Sequence, residues 1–192
     1  MTRRFVCSVV LSATAILAGA GHAVAVTRYV NANLATGAND GTTWENAYRG
    51  VDSLARALTA AASGDEIWVV AGTYKPTLTT TRSIYFTLRN GIGIYGGFAG
   101  TEATRDQRDL STNVCILSAD LLSNDPVVTD NSYHLVSASA VNATAILDGF
   151  TITGGNANGN TNLDQDKGGG IIFLSNATPT IRNCRIVSNR CT

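Results

Sequence analysis

From Gly64 onward the chain is a succession of short apolar runs, each closed by Gly, Asn, Asp or Ser. The runs are Ile67–Val70, Ile84–Leu88, Ile92–Tyr95, Val114–Leu117, His134–Val136, Ala145–Leu147, Phe150–Ile152, Gly170–Leu174 and Pro179–Ile186. They are rich in Ile, Val, Thr and aromatic residues, the composition of strands bounded by turns. In this reading Ala71–Tyr74 closes the first run and Gly96-Gly97 ends the third. No helical pattern interrupts the series, which argues against alternating strand–helix units. The feature restricts most of the chain to an all-β fold.

Two of the runs match one another. Leu147-Asp148-Gly149-Phe150-Thr151-Ile152-Thr153-Gly154-Gly155 aligns with Ile181-Arg182-Asn183-Cys184-Arg185-Ile186-Val187-Ser188-Asn189. Each places an apolar residue, a polar or small pair, a bulky or thiol side chain, a polar residue and then Ile before turn residues. Repetition of this kind predicts a solenoid, in which each unit buries its apolar side only against its neighbours. It favours a parallel β-helix over a sandwich.

The segment before Gly64 differs. Thr27–Val30 predicts a short strand, Asn39-Asp40-Gly41 a turn, and Trp44 and Tyr48 two large apolar anchors. Val51, Leu54, Ala55, Leu58, Ala61 and Ala62 then fall on one helical face, with Asp52 and Ser53 where an N-cap would sit. Ser63-Gly64-Asp65 ends this single helix. At the N-terminus, Arg3 and Arg4, an apolar stretch from Phe5 to Ala20 and the small residues of Ala23-Val24-Ala25 form the pattern of a cleaved export signal, with cleavage after Ala25. The apolar stretch is short for a membrane span. The expected organisation is a signal over 1–25, a strand and helix over 26–64, and β coils over 65–192.

Length and composition agree with a folded, exported chain. The 192 residues suffice for one domain, and 44% hydrophobic against 15% charged residues do not resemble a disordered chain. Lys+Arg and Asp+Glu balance at 14 each, so no basic footprint points to nucleic acid. Of the cysteines, Cys7 leaves with the signal. Cys115 and Cys184 read as small core residues, a Cys184–Cys191 bridge is the alternative, and the odd count of three mature cysteines leaves one thiol without a partner in this sequence. No Cys-x-x-Cys pair exists and His134 is the single mature histidine, which disfavours a zinc site.

The scaffold residues carry a resemblance. Gly168-Gly169-Gly170-Ile171 with Ile186-Val187-Ser188-Asn189 resembles the repeat of polymorphic outer-membrane proteins, with Ile186 where that family carries Phe. More broadly, several pieces between Tyr29 and Asn189 resemble secreted right-handed β-helix proteins of the pectate-lyase-like superfamily. They are Tyr29-Val30-Asn31, Asp40-Gly41-Thr42-Thr43-Trp44, Gly64-Asp65-Glu66-Ile67-Trp68-Val69, Ala71-Gly72-Thr73-Tyr74, Ile94-Tyr95-Gly96-Gly97-Phe98, Asn131-Ser132-Tyr133-His134 and Leu147-Asp148-Gly149-Phe150. The resemblance implies a right-handed parallel β-helix whose N-terminal helix caps the first coil. It also implies a secreted or cell-surface location, with polysaccharide or surface components as partners. No comparable device follows at Cys191-Thr192, so the expectation is a C-terminally truncated solenoid whose last coil self-associates.

Three sets of residues invite a functional reading. In the loop after Gly155, Asn156, Asn158, Asn160, Asn162, Asp164 and Asp166 place an oxygen at every second position. Calcium takes about six to eight oxygens, so this is the candidate calcium loop; the alternative is a solvated insert whose Asn and Gly residues favour turns. Asp120, Asp125, Asp130 and Asp148 are the candidate acids for a polysaccharide lyase or hydrolase, the enzymatic alternative that the resemblance offers, since glycoside hydrolysis needs two carboxylates. Arg105 and Arg108, flanked by Asp106 and Asp109, read first as a salt-bridged surface loop. His134 reads as structural, because no carboxylate or serine is in local register with it. The aromatics Trp68, Tyr74, Tyr85, Tyr95 and Phe98 would form a sugar-stacking strip if they faced outward, but strand alternation turns about half of any run inward, so they read chiefly as core. The preferred expectation is a structural, adhesive or carbohydrate-binding β-helix without a catalytic site in this segment.

Overall fold

The computed structural model describes residues 24–191. The export-signal pattern over Arg3–Ala20 and Ala23 lies outside them. The described part is a mostly β structure with one α-helix. Its strands are β1 (Thr27–Val30), β2 (Glu66–Val70), β3 (Gly72–Tyr74), β4 (Phe86–Thr87), β5 (Gly93–Phe98), β6 (Cys115–Ser118) and β7 (Val136–Ser139), followed by β8 (Ile146–Asp148), β9 (Phe150–Thr153), β10 (Asn156–Ala157), β11 (Ile171–Leu174), β12 (Thr180–Arg182), β13 (Arg185–Val187) and β14 (Arg190–Cys191). The helix α1 spans Ser53–Ala60.

The strands form four sheets, ordered β1-β2-β5-β8-β12, β13-β9-β6-β3, β11-β7-β4 and β10-β14. Every strand pair in them is parallel. The chain visits the five-, four- and three-stranded sheets in the same order through β2, β3 and β4, then β5, β6 and β7, then β8, β9 and β11. The two matched segments lie side by side in the register their alignment gave, with Leu147 beside Ile181, Asp148 beside Arg182 and Ile152 beside Ile186.

Parallel sheets need cover on both faces, and the five-stranded sheet obtains it from two separate cores. Inward-facing Val30, Ile67, Val69, Ile94 and Leu147 join Tyr74, Phe86, Leu117, Leu135, Phe150 and Ile152 in the larger cluster. On the other face Trp68, Val70, Tyr95 and Phe98 form a second cluster, packed by Tyr29 and Trp44. Trp68 stacks on Phe98 at 4.8 Å between ring centroids. A strap over residues 99–113, anchored where the Trp44 indole N–H donates to the Glu102 carbonyl at 2.9 Å, runs beside this second cluster.

Several expectations are corrected. Ala71–Tyr74 does not merely close a run: Gly72–Tyr74 is a strand that pairs with β6. Gly96-Gly97 does not end β5 but carries an irregularity within it, the register shifting between Trp68 and Val70. A side chain at Gly97, which has φ +99°, would meet the strap's Leu110 at 2.6 Å, so the strap's close approach depends on glycine there. The helix buries Ser53, Leu54, Ala57 and Leu58, whereas Val51 and Ala62 are exposed. They lie outside the last helical turns, so the helical period does not carry to them. Asp52 makes no side-chain cap bond; its carboxylate pairs with Arg56 at 3.4 Å. Among the described residues Cys184 and Cys191 are free thiols rather than a bridge. Cys115 is buried, and burial pushes its thiol up to about 11.

Candidate functional site

One outward-facing row crosses the five-stranded sheet in register: Tyr29, Trp68, Tyr95, Asp148 and Arg182. The period of two along each strand puts these side chains on a single face. The row changes chemistry along its length, from three aromatics to a carboxylate and then a guanidinium. Two arginines of the strap close over it. The Arg105 guanidinium lies 4.6 Å from the Tyr95 ring centroid and donates to the Glu66 carboxylate. The Arg108 guanidinium lies 5.5 Å from the same ring and reaches Asp148 at 2.7 Å.

Asp148 is fully buried. One carboxylate oxygen accepts from Arg108 at 2.7 Å and Arg182 at 2.8 Å, and the other accepts from the Asn183 amide at 2.8 Å. Burial works to raise its pKa; the donors Arg108, Asn183 and Arg182 more than offset that and leave it below the usual carboxylate range. A carboxylate held this way stays ionised and has no free lone-pair direction toward solvent. It is a brace between the strap and two neighbouring strands and is unsuited to donating a proton.

The strap is therefore not a loop whose arginines pair with their own neighbours. Asp109 bonds Ser111 and Thr112 instead, and those donors hold its carboxyl far below the ordinary range. Arg105 and Arg108 pair with Glu66 and Asp148, which are remote in sequence. Glu66, Arg182 and Asn183 were not singled out from the sequence, because only the register places them beside these arginines. The one sequence sign of Arg182's place was its alignment with Asp148.

The six residues of the calcium-loop expectation are divided among separate tasks. Asn156 is buried in β10 and donates to the Val128 carbonyl at 2.8 Å. The Asn158 side-chain oxygen accepts from Arg82 at 2.6 Å. Asn160 caps a 3-10 turn over Thr161–Leu163 by accepting from the Asn162 backbone N–H at 2.9 Å. Asp164 pairs with Lys167 at 2.8 Å. One Asp166 oxygen is buried without a partner among the described residues. Arg82 already supplies positive charge at the loop's start, where it also donates to the carbonyls of Asn131 and Asn156. A calcium ion would have to displace Arg82 from Asn158 and Lys167 from Asp164. Among the described residues no group of three His, Cys, Asp or Glu could hold a metal ion.

The remaining candidates are dispersed. His134 precedes β7 rather than lying within it. It is buried, with Nδ1 3.3 Å from the Gly168 carbonyl and its ring edge-on to Tyr85. It borders a cavity of about 190 Å³ together with Tyr133 and Asp164. Asp120 accepts from the Asn124 and Asp125 backbone N–H groups, and Asp130 from that of Leu122, so both organise turns. Asp125 borders an open groove of about 440 Å³ that Asn131, Ser188 and Arg190 share. Of the five aromatics read chiefly as core, Tyr85 is 38% exposed and the others are buried.

Set against protein-family models, curated proteins and solved structures, the chain finds no match.

Proposed function

We propose that this chain is a right-handed parallel β-helix, capped at one end by α1, from an exported protein that works at the cell surface as a structural or adhesive scaffold with carbohydrate as its ligand class. The observation that carries the reading is the return of the chain to the same sheets in the same order, each strand pairing in parallel with its predecessor. Such an arrangement buries each unit against the next and leaves long outer faces for binding. Export is supported by the basic, apolar and small-residue pattern of residues 1–25. Among the described residues no helix is long and apolar enough to cross a membrane.

Of the candidate acids, Asp148 is held as a brace rather than as a proton donor, since two arginines and an asparagine bond its buried carboxylate. Glycoside hydrolysis needs a carboxyl that can donate a proton and a second facing the bond. The test is to pass the full chain over a panel of immobilised neutral and acidic polysaccharides, reading retention and product release on the same samples. Retention without new reducing ends or unsaturated products is the expected result. Release of either product overturns the reading in favour of a hydrolase or a lyase. Handedness is tested by an experimental structure of the same chain.

A further inference from the structure

A cleft lies on the outer face of the three-stranded sheet. Phe86 and Val136 turn inward into the larger cluster, so the next residues, Thr87 and Ser137, face outward, paired in register. Over this row lies the cavity of about 190 Å³ that His134 borders. β7 is the middle strand, with β4 on one side and β11 on the other, so the floor at Ser137 is bordered by strands on both sides. The asparagine-rich loop supplies a wall through Asp164 and Gln165. A side chain at Gly159 would meet Tyr133 at 2.6 Å and Gln165 at 2.7 Å, so glycine lets that loop close against Tyr133. Two polar groups of the cleft are buried yet lack a protein partner. Ser137 is 4% exposed and His134 5%. Among the described residues nothing bonds the Ser137 hydroxyl. His134 Nδ1 lies at the Gly168 carbonyl. A carbonyl only accepts, so Nδ1 carries the proton of the neutral ring and Nε2 is left as an acceptor. Gln165 Oε1 accepts from the Asn160 backbone N–H at 3.1 Å, which leaves its amide N–H groups as donors. Half-exposed Tyr85 forms the rim. Its ring also borders a groove of about 480 Å³ between β4 and α1.

We propose that this cleft holds one ring of a neutral oligosaccharide, whose hydroxyls bond Ser137, His134 and Gln165, and that the next ring lies against Tyr85 on the way into the groove beside α1. The inference rests on the carbohydrate reading and gives it a site. A cavity of about 190 Å³ is smaller than the ~300–1,000 Å³ of sites for drug-sized ligands, and suits a single sugar ring. A sugar ring has apolar C–H faces and a hydroxyl-bearing edge. An aromatic rim beside unpaired hydroxyl, imidazole and amide groups meets both. Buried polar groups left unpaired cost stability, and the sugar's hydroxyls supply the missing partners. Asp164 is the one carboxylate that lines the cleft, and no Lys or Arg does. An acidic sugar would therefore bring its carboxylate beside a like charge. In the groove, Arg89 spends its guanidinium on the carbonyls of Leu58 and Ala61.

The probes are fluorescently end-labelled hexasaccharides of β-linked glucose, mannose and xylose, with a hexagalacturonate as the acidic counterpart, read by anisotropy against the full chain. At least one neutral probe should bind with a Kd below about 1 mM. Tyr85→Ala should weaken that binding at least about tenfold, and Tyr85→Phe should preserve it. Ser137→Ala should weaken it severalfold while leaving the melting temperature unchanged or higher, because it removes an unpaired buried hydroxyl. That second variant keeps the test decisive if Tyr85→Ala disturbs the fold. Neutral binding untouched by both variants overturns the inference and leaves the carbohydrate reading standing. Tighter binding of the hexagalacturonate also overturns it. So does failure of every probe to bind at millimolar concentration; if immobilised polysaccharide still retains the chain, the carbohydrate reading survives, and if none does, both fall.

Discussion

Ile152 and Ile186 are the same residue type, occupy matched positions in adjacent strands, and are 0% and 54% exposed. The contrast extends along both segments. Leu147 and Phe150 are buried, while their counterparts Ile181 and Cys184 are half-buried. At the opposite end of the five-stranded sheet, β1 is also an edge, yet Val30 is fully buried. The helix makes that difference, because Leu54, Ala57, Leu58 and Ala61 lie in the same cluster as Val30 and Ile67. Asp65 then ties the closed end together, accepting from the backbone N–H groups of Val26 and Ala62 and from Arg28. Burial in this chain is supplied by what lies on the next level, and only weakly by a strand's own sequence.

The sharpest test of this contrast uses the two arginines that share Asp148. Arg108 is 14% exposed and Arg182 50%. Removing Arg108 leaves a fully buried carboxylate short of its main partner, so Arg108→Ala should cost about 3–5 kcal/mol in denaturant unfolding. Arg182→Ala should cost about 1 kcal/mol, because its side chain is screened by solvent. Equal costs would mean that the open face is covered in solution.

A second pair reads the apolar term directly. Ile152→Ala deletes core volume where the cluster is closed and should cost ~2–5 kcal/mol. Ile186→Ala should cost ~1 kcal/mol or less, since half of that side chain already meets water. Failure of the two costs to differ would break the comparison at its centre.

How much of this was legible in the sequence follows from the same physics. The β runs, the lone helix and the pairing of the two matched segments could be read because apolar period and turn residues are local signals. The brace at Asp148 could not. Glu66, Arg105, Arg108 and Arg182 are scattered along the chain and become neighbours only once four strands are in register. Asn156 misled for the opposite reason. Its local company of Asn and Gly signalled a loop, but pairing of β10 with β14 makes it a buried strand residue. The outer aromatic cluster was not legible as such: Trp68 and Tyr95 read chiefly as core, and nothing local showed that they would face away from the main core and be covered by Trp44.

Acid should weaken the closed parts first. Burial works to raise the pKa of Asp65, but the donors from Ala62, Val26 and Arg28 leave it below the ordinary 3.8. Asp148 is lowered in the same manner. Both folded values lie below the unfolded ones, so their contribution is complete above about pH 4 and is lost as pH falls through the folded values. Unfolding stability followed between pH 5 and 2 should therefore decline, and Asp148→Asn should flatten part of the decline. Neither carboxylate lies on the open face, so Arg185→Glu should leave the slope above pH 5 unchanged.

The smallest effect expected is at the helix start, and it separates two explanations of the closed end. If α1 holds by its own capping chemistry, Asp52→Ala should cost about 1 kcal/mol, the usual loss for a bonded N-cap. The Asp52 side chain makes no cap bond, however. It makes only a half-exposed pair with Arg56, a class of contact worth a few tenths of a kcal/mol. The expected cost is therefore below about 0.5 kcal/mol, while Leu54→Ala, at a fully buried position, should cost ~2–5 kcal/mol. A helix of eight residues is marginal by itself in water. That ratio would show that the strand stack holds the helix in place, so that the cover and the stack it closes fold as one unit.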